Sequence, residues 1–176
     1  MILNELGVAG AYEILPEPIA DDRGLFARVW DADDLTARGL VGQMRQENVG
    51  FSPRSGTFRG LHLQREPHAE AKLVRCTAGR AYDLVADLRP GSRTRGRWAG
   101  VEIDPRRRNL VYVPVGCAHG YLTLEPDTEV VYLTSQPYAP QAAHGVRYDD
   151  PGLGIVLPAA VAVISQADRQ WPDADV

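Results

Sequence analysis

The segment Arg59-Gly60-Leu61-His62-Leu63-Gln64 places an imidazole three residues after a guanidinium, Lys72 follows ten residues after His62, and Pro114-Val115-Gly116-Cys117-Ala118-His119-Gly120 supplies a second imidazole. An imidazole titrates near neutrality and can take a proton from a carbon acid whose adjacent carbonyl stabilises the resulting enolate. The Lys72 ammonium could stabilise that enolate or a phosphate oxygen, and the Arg59 guanidinium could grip a phosphate through a pair of hydrogen bonds. A carboxylate on the other ring nitrogen of His62 would fix its tautomer, and Asp83, Asp87 and Asp168 are each available for that after folding. Singly, these residues have ordinary explanations: a half-buried strand histidine bonded to backbone, or a surface ion pair. Their combination is what points to proton-transfer chemistry.

Tyr132 and Tyr138 stand six residues apart, a spacing that puts both on one face of an extended segment. A phenol can donate a proton to a carbanion and an aromatic ring can stack on a base or a sugar, although core packing explains either tyrosine alone. His119 ends a Pro-x-Gly-x-x-His turn, a spacing shared with the second metal motif of cupins. The first cupin motif requires two histidines separated by one residue, where this chain has His62-Leu63-Gln64, and the asparagine expected downstream of His119 is absent from Leu122-Thr123-Leu124. Two dispersed histidines with Glu66 or Glu70 make a weak facial triad. Metal-free catalysis is therefore expected.

The elements that must position these residues read as strands. Short β-branched and apolar segments, Lys72–Cys76, Ala81–Leu88, Trp98–Ile103, Leu110–Val113, Gly120–Leu124 and Glu129–Thr134, are separated by turn signals at Thr77-Ala78-Gly79, Pro90-Gly91, Asp104-Pro105 and Glu125-Pro126-Asp127. This spacing predicts an all-β, mainly antiparallel sandwich or barrel of the jelly-roll kind with a few short helices. Asp31–Leu40 is the best helix, and a second is expected near Asp149-Asp150-Pro151 or in Ala159–Val163. Ala11–Pro16 can add to a sheet edge, locally or in a partner subunit. No repeat, low-complexity tract or linker divides the chain, so residues 1–176 are expected to form one domain.

A formal net charge of -4 lacks the positive field of a nucleic-acid binder, and Arg106-Arg107-Arg108 reads as a solvated turn. Cys76 and Cys117 are too few for a disulfide framework and lack C-x-x-C spacing. No apolar run approaches the roughly 18 residues of a membrane span, and the N-terminus has no basic region ahead of an apolar stretch. A soluble, cytoplasmic protein without nucleic-acid or membrane partners is expected.

Together, Asp22-Arg23-Gly24-Leu25-Phe26, Gln46-Glu47-Asn48, Arg59-Gly60-Leu61-His62, Lys72-Leu73-Val74-Arg75, Asp87-Leu88-Arg89, Gly96-Arg97-Trp98, Pro114 to Gly120 and Tyr138-Ala139-Pro140 resemble the dTDP-4-dehydrorhamnose 3,5-epimerase family from about Gly10 to Trp171. The resemblance implies a cupin-like jelly roll, a homodimer exchanging N-terminal strands, and action without cofactor or metal on a nucleotide-linked 4-keto-6-deoxysugar. It further implies His62 as the base beside the C4 ketone, Asp168 as its orienting carboxylate, Lys72 as the enolate stabiliser and Tyr132 as the acid on the opposite face. Arg59 and His119 would line the pyrophosphate and sugar site, Gln46 and Asn48 would meet the nucleotide or phosphates, and Tyr138 would stack near the base. Arg23 and Phe26 would reach the nucleotide of the neighbouring subunit. Inversion needs a base and an acid on opposite faces and an electrostatic well for the oxyanion, so the scheme is chemically coherent.

Two positions depart from the family pattern. Arg28 stands where the family's usual glutamate follows Arg-Gly-x-Phe; a carboxylate accepts the ring N–H of thymine, whereas a guanidinium only donates and suits the acceptors of cytosine. The pattern Ser-x-Lys-Asp appears as Ser165-Gln166-Ala167-Asp168, keeping the carboxylate and losing the lysine. The leading expectation is an epimerase inverting C3, C5 or both, with dTDP as the favoured nucleotide. The alternatives are a ketoisomerase of the same sugar class, a noncatalytic sugar-nucleotide-binding cupin and, more remotely, a metal-dependent dioxygenase.

Overall fold

The computed structural model describes residues 1–176. In chain order the elements are β1 (Ile2–Glu5), β2 (Tyr12–Leu15), β3 (Ile19–Asp21), β4 (Gly24–Phe26), α1 (Ala32–Ala37), β5 (Gln46–Ser52), β6 (Thr57–Gln64), β7 (Lys72–Ala78), β8 (Ala81–Asp87), β9 (Trp98–Ile103), β10 (Leu110–Val113), β11 (Cys117–Thr123), β12 (Thr128–Thr134), a 3-10 turn (Pro140–Ala142), β13 (Ala143–Gly145), β14 (Val163–Ile164) and α2 (Gln166–Arg169). One sheet runs β1-β2-β10-β7-β12-β5, and the other β13-β6-β11-β8-β9 with β14 added in parallel to β6. Strands β3 and β4 pair only with each other. The architecture is the expected cupin-like jelly roll.

Side-chain alternation divides three apolar clusters among the faces of the two sheets. Val74, Cys76, Val111, Val113 and Val130 of the first sheet meet Val85, Ile103, Cys117 and Tyr121 of the second, forming the layer between them. Leu73, Leu110 and Ile14 point to the other face of the first sheet, where Leu35 of α1 covers them. Phe58, Leu61, Leu84 and Leu122 point outward from the second sheet and are covered by Val146, Leu153 and the segment that follows. The chain after β13 is thus held by apolar burial to the sheet that carries His62.

The segments expected from 72 to 134 all form strands, with ends adjusted by a few residues. Helix α1 is shorter than Asp31–Leu40: Asp31 caps it by accepting from the Asp33 and Asp34 amides at 3.1 Å, and Gly39 at φ +77° ends the helical path. Neither proposed second helix forms. Asp150 instead accepts from the Gly152 amide at 2.7 Å and the Ala174 amide at 2.6 Å, making a turn that ties down the C-terminal segment, while the short helix lies later, at α2, capped by Ser165. Strand β2 lies within its own sheet, between β1 and β10. No helix is long and apolar enough to cross a membrane.

Candidate active site

A cavity of about 780 Å³ opens between the sheets. Gln46 and Asn48 on β5, Lys72 on β7 and Tyr132 on β12 line it from the first sheet; Arg59 and His62 on β6 and His119 on β11 line it from the second. Asp168 and Trp171 close it from the C-terminal segment, and Tyr138, 68% exposed, stands at its rim.

A bulge in β6 aims two of these side chains. Residues three apart on a regular strand face opposite ways, so Arg59 and His62 could not both enter the cavity. His119 pairs with His62 but Tyr121 pairs with Arg59, so β6 carries one residue more than β11 across this interval. The extra residue reverses the alternation, leaving Leu61 in the outer cluster and turning both Arg59 and His62 inward. Gly60 makes the bulge possible: its φ is +138°, and a Cβ there would sit 2.5 Å from the Gly120 Cα.

His62 Nε2 bonds Asp168 Oδ1 at 2.6 Å, which leaves Nδ1 as the nitrogen with a lone pair when the ring is neutral. Asp168 also accepts from the Gly60 amide at 3.3 Å and the Trp171 indole at 3.3 Å. Burial raises its carboxyl, but His62, Gly60 and Trp171 outweigh burial and hold it below the ordinary carboxylate range. Of the three candidate carboxylates, Asp168 is the one that meets His62. Asp83 bonds His119 Nε2 at 2.8 Å, and Asp87 is held by Arg89, Ser92 and Thr94.

Lys72 is buried, with Nζ 3.3 Å from Glu70 Oε1 and donating to the His62 carbonyl at 3.3 Å. Burial pushes its ammonium down; Glu70, and more weakly Asp83, oppose this without cancelling it. Burial also raises the Asp83 carboxyl despite His119 and Lys72. Arg59 is tethered by the Phe51 carbonyl at 3.0 Å and the Ser52 hydroxyl at 3.4 Å rather than by a carboxylate, so its charge remains available to an anion. Burial raises the Tyr132 phenol, Arg59 lowers it and Glu70 adds to the rise. The arrangement can therefore offer a carboxylate-backed imidazole from one sheet, a neutral phenol and an ammonium from the other, and a guanidinium for phosphate. No three His, Cys, Asp or Glu side chains converge as a metal-ligand set.

Within one chain the cavity does not include Arg23, Phe26 or Arg28. Arg23 pairs with Asp21 on the β3–β4 hairpin, Phe26 is 67% exposed there, and Arg28 bonds Asp31 at 3.2 Å. Gln46 does line the cavity, and its side-chain carbonyl accepts from the Tyr138 amide at 2.7 Å, fixing the loop that carries that ring. Glu70, which the sequence offers only as a weak metal ligand, pairs instead with Lys72, and Trp171 stands behind Asp168 as a site residue that the sequence does not point to. The Glu70-x-Lys72 spacing was a usable signal, because two residues apart on an extended segment can share a face; Trp171 had none.

A sequence model of the dTDP-4-dehydrorhamnose 3,5-epimerase family matches residues 5–175. The chain belongs to that family. It is 38% identical over 177 residues to a dTDP-4-dehydrorhamnose 3,5-epimerase of Sinorhizobium fredii, covering 98% of this chain and 89% of that protein. It is also 38% identical over 170 residues to a dTDP-4-dehydrorhamnose 3-epimerase of Streptomyces niveus, covering 96% and 82%. Among solved structures, the 3,5-epimerase of Bacillus anthracis with TDP and pyrophosphate bound superposes with a TM-score of 0.92 at 34% identity, covering 98% of both chains. Epimerase-family membership makes this chain an isomerase-type enzyme acting on nucleotide sugars.

Proposed function

We propose that this epimerase inverts C3, C5 or both of a dTDP-linked 4-keto-6-deoxyhexose, with His62 removing the proton beside the C4 ketone and Tyr132 returning one from the opposite side. The observation that carries this reading is that the imidazole and the phenol come from different sheets and enter one cavity, so a sugar between the sheets meets base and acid on different faces. Asp168 holds the imidazole and stabilises its cation; the Lys72 ammonium stabilises the C4 enolate. Arg59 and His119 line the pyrophosphate and sugar site, Gln46 and Asn48 meet the nucleotide, and Tyr138 stacks on the base. The reaction needs no cofactor or metal, and the chain works as one domain in the cytoplasm.

Two further points support dTDP and a dimer. The Bacillus anthracis relative binds TDP, and the Arg28 guanidinium that would favour cytosine is engaged by Asp31. The β3–β4 hairpin pairs with no other strand of its own chain and exposes Ile19, Leu25 and Phe26, which suits it to cross to a second copy and bring Arg23 and Phe26 to the partner's nucleotide. In this dimer the exchanged N-terminal strands are β3 and β4.

Incubation with dTDP- and CDP-4-keto-6-deoxyglucose in deuterated water, followed by NMR, tests activity, nucleotide and carbon together. Deuterium entering at C3, C5 or both of the dTDP sugar is expected. A displaced carbonyl would identify a ketoisomerase instead, and binding without exchange would identify a noncatalytic binding protein.

A further inference from the structure

We propose that Trp171 is a positioning residue for His62, holding down the proton affinity of the imidazole by sharing its carboxylate, and that Gly145 is the position that lets it do so. The inference rests on His62 being the base. Trp171 Nε1 donates at 3.3 Å to Asp168 Oδ1, the same oxygen that His62 Nε2 meets at 2.6 Å. The indole ring also stands edge-on to the imidazole, with centroids 6.3 Å apart.

The pose of the ring is built rather than incidental. Gly145 pairs with His62 in the β13–β6 register, and a Cβ there would lie 2.6 Å from both Cε2 and Nε1 of Trp171, so only glycine admits the indole at this depth. On the neighbouring side His144 meets the indole edge-on at 5.8 Å, and Arg65 Nη2 lies 2.8 Å from His144 Nε2. Beyond the indole, Arg147 binds Asp173 at 2.7 Å, its amide donates to the Pro172 carbonyl at 3.2 Å, and the Ala174 amide donates to Asp150. Residues 172–174 after Trp171 are thus anchored, and Asp168 before it is held by the Gly60 amide and the Ser165 cap, which leaves the indole N–H little freedom to leave Asp168.

The electrostatic consequence has a definite sign. The positive end of the indole N–H dipole rests on Asp168 and so takes up part of the carboxylate charge that would otherwise stabilise the imidazolium. The indole N–H and the imidazolium thus compete for the same carboxylate oxygen. Removing the N–H strengthens the pull of Asp168 on the imidazolium and raises the pH at which the base becomes competent. The other charged and titratable groups around His62 are Arg59 on its own strand, His119 on β11, His144 on β13, Lys72 on β7 with Glu70 beside it, and Tyr132 on β12; the test leaves all of them in place.

Trp171→Phe keeps an aromatic ring and deletes the donor together with part of the ring system, so the His62 titration rather than activity alone is the deciding readout. The first readout is the NMR titration of the His62 ring, identified among the four histidines by its disappearance in His62→Asn. Its midpoint is expected to rise by roughly half a pH unit or more, and the acidic limb of kcat/KM to move the same way with KM little changed. Gly145→Ala, which must push the indole off Asp168, is expected to reproduce the shift and stands in for Trp171→Phe if that variant fails to fold. An unmoved His62 midpoint in a folded variant, with activity lost equally at every pH, would reduce Trp171 to a packing residue and overturn the inference. The titration uses no substrate, so a normal shift in a protein without epimerase activity would overturn the proposed function and leave the Trp171 effect intact.

Discussion

The Lys72 ammonium, on one sheet, donates to the backbone carbonyl of His62, on the other, at 3.3 Å. The proposed enolate stabiliser and the proposed base are thus fixed relative to each other before any sugar arrives, and catalysis by charge complementarity depends on such fixed geometry. Moving either strand would disturb both groups at once.

His62→Asn removes the proton acceptor while keeping a polar side chain of similar size. Epimerisation and solvent deuterium uptake are expected to fall roughly 10²- to 10⁴-fold, with dTDP affinity nearly unchanged because Arg59, Gln46 and Asn48 are untouched. Full exchange in this variant would show that another group is the base.

Lys72 and Tyr132 are displaced in opposite directions by burial, the ammonium down and the phenol up. Rising pH should therefore remove the Lys72 charge first, and the alkaline limb of kcat/KM should belong to it. The groups facing Lys72 are Glu70, Asp83, His119 and Tyr132, of which Glu70 is its ion-pair partner. Glu70→Gln deletes the strongest support for the ammonium, so this limb should move to lower pH, with the loss confined to the alkaline side. A limb that stayed in place would separate Glu70 from Lys72 ionisation.

Asp87 is buried and bonded to Arg89, Ser92 and Thr94. Burial raises its carboxyl, yet these bonds outweigh burial and hold it below the ordinary range. Because the folded value lies below the unfolded one, its stabilisation is complete above about pH 4 and lost as pH falls through the folded value. Asp87→Asn should destabilise the protein by about 3 kcal/mol at pH 7, read as a lower urea midpoint, and the gap to the parent should narrow toward pH 2. An equal midpoint at pH 7 would contradict this account.

The dimer reading makes a complementation prediction. Chains carrying His62→Asn have an intact hairpin and a dead cavity, whereas chains carrying Arg23→Ala have an intact cavity and a weakened hairpin. If the hairpin serves the partner's cavity, mixed dimers formed after co-refolding should regain one normal site each, with KM near that of the parent. Additive activity of the two homodimers alone would place Arg23 outside the partner's site.

Legibility of the chain followed the regularity of its strands. Segments such as Ala81–Asp87 and Thr128–Thr134 bury one or both faces and declare themselves by β-branched and apolar residues. Strands β5 and β6 do not: β5 carries Gln46, Glu47, Asn48 and Gly50, and the β6 bulge breaks the two-residue alternation on which strand reading depends. The bulge is also what makes Arg59 and His62 neighbours in the cavity, so the irregularity that hid the strand created the site. Residue types alone leave Asp168 as one of three possible partners of His62 and only the family resemblance singles it out, since the physical choice is made by the docking of α2 against β6. In the sequence Glu70 suits only a weak metal ligand, and the distance that assigns it to Lys72 exists only in the folded chain.

The His62–Asp168 pair joins positions 106 residues apart, so the proposed base depends on a distant segment of the chain. Lys72, Arg59, Gln46 and Asn48 come from strands that pair without the C-terminal segment, whereas the imidazole acquires its carboxylate only when residues 165–171 settle beside β6. Loosening the C-terminal segment alone would therefore cost the proposed base its carboxylate while Lys72, Arg59, Gln46 and Asn48 stayed on their strands.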